Sequence, residues 1–121
     1  AATQPGPFEA TYAASKAFLL SFAEALRSEL KETGVTVTAL MPGPTDTRFF
    51  ARAGMQDTKL GAGPKDDPAE VARDGFDALM KGKDHVVAGS LRNKVVAGSA
   101  KAAPERIKAE VHRRLAEPGS A

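Results

Sequence analysis

The stretch VTVTALMPGPTDT, residues 35–47, falls into two parts. Residues 35–41 are β-branched or apolar, the composition of a strand buried inside a parallel sheet. Pro42, Gly43 and Pro44 then forbid further regular pairing and open a turn at the strand's C-terminal end. Parallel strands are joined by crossovers, usually helical, so the flanking segments decide the fold.

Upstream, Tyr12 to about Thr33 holds no proline or glycine and is rich in helix formers. Phe18, Leu19, Phe22, Ala23, Leu26 and Leu30 share one broad side of the predicted helix, and Ala13, Ala17 and Leu20 widen it. So wide a stripe predicts burial against more than one neighbour, such as a sheet and a second subunit. Gly34 is the predicted stop, and residues 1–11, with Pro5, Gly6 and Pro7, read as a loop. Downstream come a short aromatic segment (RFFARAG) and a mobile-looking run, KLGAGPK. Asp67 and Pro68 mark a helix start, with an acceptor at the cap and proline where its missing N–H costs nothing. Its predicted stripe is Val71, Phe76, Leu79 and Met80, closed by Lys81 and Gly82. HVVAG, residues 85–89, reads as a second strand, and 91–101 as weakly helical. A last helix runs from Pro104 to about Ala116 with Ile107, Val111 and Leu115 as its stripe. Helices and strands alternate, which points to an α/β fold with a parallel sheet. Two strands are too few to stand alone, so the pattern describes one end of a larger sheet.

With 121 residues the chain is one domain at most, and 42% hydrophobic with 26% charged residues is a globular rather than a disordered composition. The absence of cysteine excludes disulfides and thiolate metal sites and fits a cytoplasmic location. No apolar run reaches the roughly 18 residues of a membrane span, so no membrane partner is expected. The chain opens on AATQPGPFE without methionine, which reads as the interior of a gene product. From Lys83 onward eight Lys/Arg face four Asp/Glu, a solvated or docking helix surface. Arg106, Lys108, Arg113 and Arg114 have no aromatic stacking platform beside them, so no nucleic-acid partner is expected. His85 and His112 lack a second ligand at metal spacing, so no metal is expected.

One pair has the residue types and spacing for chemistry, although Tyr-x-x-x-Lys also turns up by chance in many helices. In TYAASK, residues 11–16, Tyr12 and Lys16 stand four apart and project from one helix face. A phenol is a poor acid or base near neutrality, and an ammonium close by moves it toward useful proton transfer. The same lysine can donate hydrogen bonds to ligand hydroxyls.

Tyr12-Ala13-Ala14-Ser15-Lys16, followed by an Ala/Phe/Leu-rich helix and then by Pro42-Gly43-Pro44-Thr45-Asp46-Thr47, resembles the short-chain dehydrogenase/reductase family. In that family a Tyr-x-x-x-Lys helix precedes a strand ending in Pro-Gly-x-x-x-Thr. The resemblance covers essentially the whole chain. It implies the C-terminal part of a Rossmann-like, doubly wound parallel sheet, incomplete without an N-terminal cofactor-binding half. Residues 1–121 would be the catalytic and substrate part of that single domain. It also implies an oxidoreductase that interconverts a small-molecule carbonyl and an alcohol with NAD or NADP. Tyr12 would be the acid/base, and Lys16 would hold the nicotinamide ribose and depress the Tyr12 pKa. Pro42, Gly43 and Thr45 would line the nicotinamide, and Thr47 would add a side-chain or phosphate contact. Thr45 departs from the Val or Ile common there, a change of small consequence where the contact runs through the backbone. Phe49, Phe50 and Met55 fall where the family places its substrate lid; the alternative is that they fill a core. A homo-oligomer through the 12–33 helix is expected.

Two parts of the family's machinery have no counterpart in these residues. The serine that polarises the carbonyl would fall just before Ala1, since Ser15 points away from the pair and Thr3 is too close to Tyr12. Gly61-Ala62-Gly63 has no preceding strand and no third glycine, so it is not a cofactor loop. The chain alone is therefore expected to be inactive. A truncated non-catalytic fragment, or an interaction or oligomerisation piece, is the alternative reading. An epimerase or dehydratase of the related extended group also uses a Tyr-x-x-x-Lys pair, but its larger substrate domain does not fit the short C-terminal region.

Overall fold

The computed structural model describes residues 1–91, 94–95, 98 and 102–121. Its elements in chain order are α1 (Ala10–Glu29), β1 (Ala39–Pro42), α2 (Phe49–Arg52), α3 (Lys59–Ala62), α4 (Pro68–Met80), β2 (His85–Ala88) and α5 (Glu105–Ala116). The helical expectation for 91–101 lies mostly outside the described residues.

β1 and β2 pair in parallel, with Ala39 opposite His85 and Pro42 opposite Ala88. The strand expected over 35–41 pairs only from Ala39, because β2 offers a ladder of four residues. Residues 35–38 are held by side chains instead. Arg27 of α1 donates to the Val37 and Gly82 carbonyls at 2.9 and 3.0 Å. The Thr38 hydroxyl donates to the Lys83 carbonyl at 2.7 Å. One arginine thus ties α1 to both strand entries.

α1 ends at Glu29, earlier than expected, and the turn to β1 is closed by the Thr33 hydroxyl donating to Leu30 O at 2.6 Å. Gly34 follows at φ +78°, a conformation that glycine adopts without strain. α4 starts as its sequence predicts: the Asp67 carboxylate accepts from the Ala69 N–H at 2.9 Å, and Pro68 is the first helical residue.

The buried faces of α4 and α5 differ from the predicted stripes. α4 buries Val71 and Ala78, while Phe76, Leu79 and Met80 are exposed. The sheet side chain it meets is Leu40, which lies so close to Gly75 that a Cβ there would be 3.0 Å from its Cδ2. Small residues let helix and strand close, and this turns the larger side chains outward. On α5 the face that turns inward is Lys108, His112 and Ala116, one residue along from the predicted Ile107, Val111 and Leu115, which are exposed. Its anchors are a polar contact at His112 and a small residue at Ala116, neither of which weighs in a hydrophobic pattern.

The run KLGAGPK, expected to be a mobile loop, is compact. Thr58 is buried, donates to Met55 O at 2.8 Å and accepts from Gly61 N–H at 2.9 Å, capping α3. A Cβ on Gly61 would overlap the Met55 carbonyl oxygen, so only glycine fits. Lys65 Nζ then donates to the Gly61 and Gly63 carbonyls at 2.6 and 3.2 Å. Phe50, Met55 and Ala116 form the buried cluster beneath it, with Leu60 against its edge.

Candidate active site

The site lies where the start of α1 meets the turn after β1. Tyr12 is on the first turn of α1, and its ring packs against Phe49 at 5.3 Å between centroids, tilted by 43°. Phe49 in turn meets Phe50 edge to face at 5.3 Å, and Lys65 Nζ caps the Phe50 ring at 5.3 Å. Lys16 Nζ stands 5.3 Å from the centre of the Tyr12 ring. The spacing-based pair is therefore brought together, and the aromatic segment after β1 is brought to it.

Burial pushes the Tyr12 phenol above its ordinary pKa of 10, and the Glu9 carboxylate adds to the rise. Sequence reasoning expected Lys16 to depress it. The difference is geometric: the ammonium faces the ring, with no hydrogen bond to the hydroxyl, while an anion sits at the helix entry. Lys16 Nζ has no protein acceptor among the described residues, which leaves its three donors for a ligand. Ser15 spends its hydroxyl on the Tyr12 carbonyl at 2.7 Å and takes no part in the pair.

The Pro42–Thr47 turn is held by backbone. The Asp66 N–H donates to Pro44 O at 2.8 Å, and the Asp46 N–H to Asp66 O at 2.9 Å. In this parallel bridge the bonds run through the neighbours of Thr45, so its own N–H and C=O point away from Asp66. The Thr45 hydroxyl folds onto Gly43 O at 2.9 Å. Thr47 Oγ1 accepts from the Phe49 N–H at 3.2 Å and so orients the start of α2.

The three side chains expected over the substrate separate. Phe50 (6% exposed) and Met55 lie in the buried cluster with Ala116, and only Phe49 stays half-exposed beside Tyr12.

Two residues of this site escaped the sequence reading. Glu9 precedes α1 at the cap position, yet its side chain makes no cap hydrogen bond. Its Oε2 instead accepts from Nε2 of His112 on α5 at 2.9 Å, with side chains 11% and 8% exposed. Forgoing a side-chain cap costs about 1 kcal/mol. Phe8, next to it, sits at φ +67°, a left-handed backbone that costs a bulky residue about 1–3 kcal/mol. A glutamate where Ser, Thr, Asp or Asn is preferred was the one available signal; its partner lies 103 residues away.

Among the described residues no group of three or more His, Asp or Glu gathers to hold a metal, and no helix is long and apolar enough to cross a membrane.

Residues 1–58 match the family model for short chain dehydrogenase. The mouse protein named dehydrogenase/reductase SDR family member 7B is 37% identical over 87 residues, which cover 67% of this chain and 27% of that protein. An uncharacterized oxidoreductase of Staphylococcus saprophyticus is 40% identical over 70 residues, 58% of this chain and 28% of its own. An uncharacterized oxidoreductase of Escherichia coli is 46% identical over 67 residues, 55% of this chain and 24% of its own. The chain spans about a quarter of the length of these curated relatives. No solved structure matches at a comparable level.

Proposed function

The chain belongs to the short-chain dehydrogenase family, and on that premise we propose that it carries the acid/base half of an NAD- or NADP-dependent oxidoreductase that interconverts a carbonyl and an alcohol. The observation that carries this reading is the Tyr12–Lys16 pair, with the Tyr12 ring packed on Phe49 just after the turn that ends a parallel strand. The C-terminal end of such strands is the usual ligand side of an α/β sheet, and the family implies that these strands are part of a Rossmann-like one.

In reduction the Tyr12 phenol gives its proton to the carbonyl oxygen as the carbonyl carbon gains a hydride; the O–H bond of the phenol breaks and that of the alcohol forms. In oxidation the Tyr12 phenolate takes the alcohol proton back. A bound nicotinamide supplies the hydride in one direction and accepts it in the other. Lys16 would hold the nicotinamide ribose hydroxyls, Pro42, Gly43 and Thr45 would line the nicotinamide ring, and Thr47 would add a side-chain or phosphate contact. With a ligand drawing Lys16 toward the phenol oxygen, its charge would favour the phenolate and offset the rise seen here.

Phe49, against Tyr12, closes one side of the substrate space. For Phe50 and Met55 to serve as lid, residues 49–55 have to lift off the Ala116 cluster. The exposed Phe18, Leu19 and Phe22 of α1 suit a second copy of the protein. A cytoplasmic setting suits the cysteine-free sequence. The 121-residue chain by itself is expected not to turn over, since no phosphate-binding loop is present in it. The same exposed face favours the interaction-piece reading if turnover is absent from the whole protein as well.

The test separates binding from chemistry in the protein that carries this chain. Tyr12→Phe is expected to lower kcat by about a hundredfold or more while leaving nicotinamide binding near wild type. Lys16→Ala is expected to raise the KM for the nicotinamide. Near-normal kcat in Tyr12→Phe would remove the assigned role.

A further inference from the structure

The entry to α1 is built against local preference. The chain turns through a left-handed Phe8, closed by the Glu9 N–H donating to Gly6 O at 2.9 Å. Gly6 packs so tightly on α1 that a Cβ there would be 2.7 Å from Ala13 Cβ. Together these aim the Glu9 side chain away from the helix N–H groups it could cap and into the shielded contact with His112. A shielded carboxylate with one charge-assisted partner is a costly arrangement in a surface corner, and it is expensive to break from one side. It also connects two distant elements, since α5 otherwise docks through Ala116 on the cluster under α2 and α3.

We propose that His112 is a positioning residue for the Tyr12 phenol, acting through the Glu9 carboxylate that it holds at the entry of α1. Glu9 is the cap residue of the helix on whose first turn Tyr12 stands. The imidazole N–H donates to Glu9 and fixes where that negative charge sits. Among the elements around Tyr12 the other charge is Lys16, over the ring face. α2 contributes only the Phe49 ring. The effect on the phenol has the sign expected of a nearby anion: Glu9 works with burial to keep Tyr12 protonated. For the reaction read above, on which the catalytic meaning rests, the protonated phenol is the form that donates to a carbonyl oxygen.

Within these 121 residues Tyr12 is the only tyrosine and there is no tryptophan, so in the chain taken by itself the near-ultraviolet phenolate band reports this group alone. The experiment is an alkaline titration of the chain with Glu9→Gln, His112→Gln, His112→Asn and the Glu9→Gln/His112→Asn pair, each also followed by thermal melting. Glu9→Gln keeps the hydrogen bond and removes the charge, and at pH 10 its phenolate signal is expected to exceed wild type by about twofold. His112→Asn is too short to reach Glu9 and is expected to give a comparable rise. His112→Gln, which places an N–H near the former Nε2, is expected to restore the wild-type signal. The pair is expected to add nothing to Glu9→Gln alone. A His112→Asn chain that melts earlier with an unmoved phenolate signal would reduce the contact to a structural staple, and a silent Glu9→Gln would overturn the electrostatic link. The titration needs no turnover, so its outcome is independent of whether Tyr12→Phe abolishes activity.

Discussion

The corner formed by residues 49–66 with α5 and the long helix α1 meet at Tyr12 and treat apolar surface in opposite ways. The corner encloses its own: Phe50, Met55 and Ala116 are buried, Thr58 is capped on both sides, and Lys65 closes the rim. α1 buries only Ala13 and leaves Phe18 66% and Phe22 52% exposed, their rings stacked at 5.9 Å. The corner is thus held by contacts it contains, and α1 by Arg27, Glu9 and whatever covers its face. The candidate acid/base sits on the boundary, backed by the self-contained side and carried by the open one.

Breaking the closed side has the largest expected effect. Gly61→Ala drives a Cβ into the Met55 carbonyl and is expected to cost about 4 kcal/mol, read as a lost or strongly lowered melting transition. An unchanged melting temperature would mean that the corner is looser than its contacts imply. Next, Phe18→Ser with Phe22→Ser tests the open side. Each exposed change is expected to alter the stability of the isolated chain by about 0.5 kcal/mol or less while reducing self-association by sedimentation. A loss like that of Gly61→Ala would show the face to be buried in the chain itself.

The smallest effects are those of pH. Glu110 is held down to about 2 by hydrogen bonds from Arg113 and Arg114, so its contribution is present above its ordinary 4.5 and fades as pH falls toward about 2. Because the Glu110 side chain is 46% exposed and its pairing is screened by solvent, only a shallow acid slope in melting temperature is expected, removed by Glu110→Gln. Tyr12 acts at the other end: its raised value means that a contribution present below pH 10 is lost as pH rises beyond it, and Tyr12→Phe is expected to flatten that alkaline slope. Equal slopes in the variants would remove both groups from the pH response.

Much of the architecture was legible in the sequence for local reasons. The Tyr12 helix, the β-branched run ending at Pro42, the Asp67-Pro68 start and the HVVA strand follow from propensity, capping and turn residues within a few positions of one another. What was not legible depended on partners far along the chain. Gly75 against Leu40 turned the α4 face away from its largest side chains, and His112 with Ala116 rotated α5 by one residue. The cap-and-glycine device at Thr58 and Gly61 made a compact turn from a run that composition alone marks as flexible. For the site, a spacing of four residues placed Tyr12 and Lys16 on one helix face, and only the resemblance of the flanking motifs gave the pair an expected role. The Glu9–His112 contact could not be read that way, because neither residue belongs to an apolar period and each was unremarkable alone.

The most direct measurement is deuterium transfer from a nicotinamide labelled at its hydride position, using the protein that carries this chain and a panel of ketones and aldehydes. The account predicts label on the carbinol carbon of at least one product with Tyr12 present, and a rate reduced by about a hundredfold or more in Tyr12→Phe. Undiminished transfer in Tyr12→Phe would contradict it.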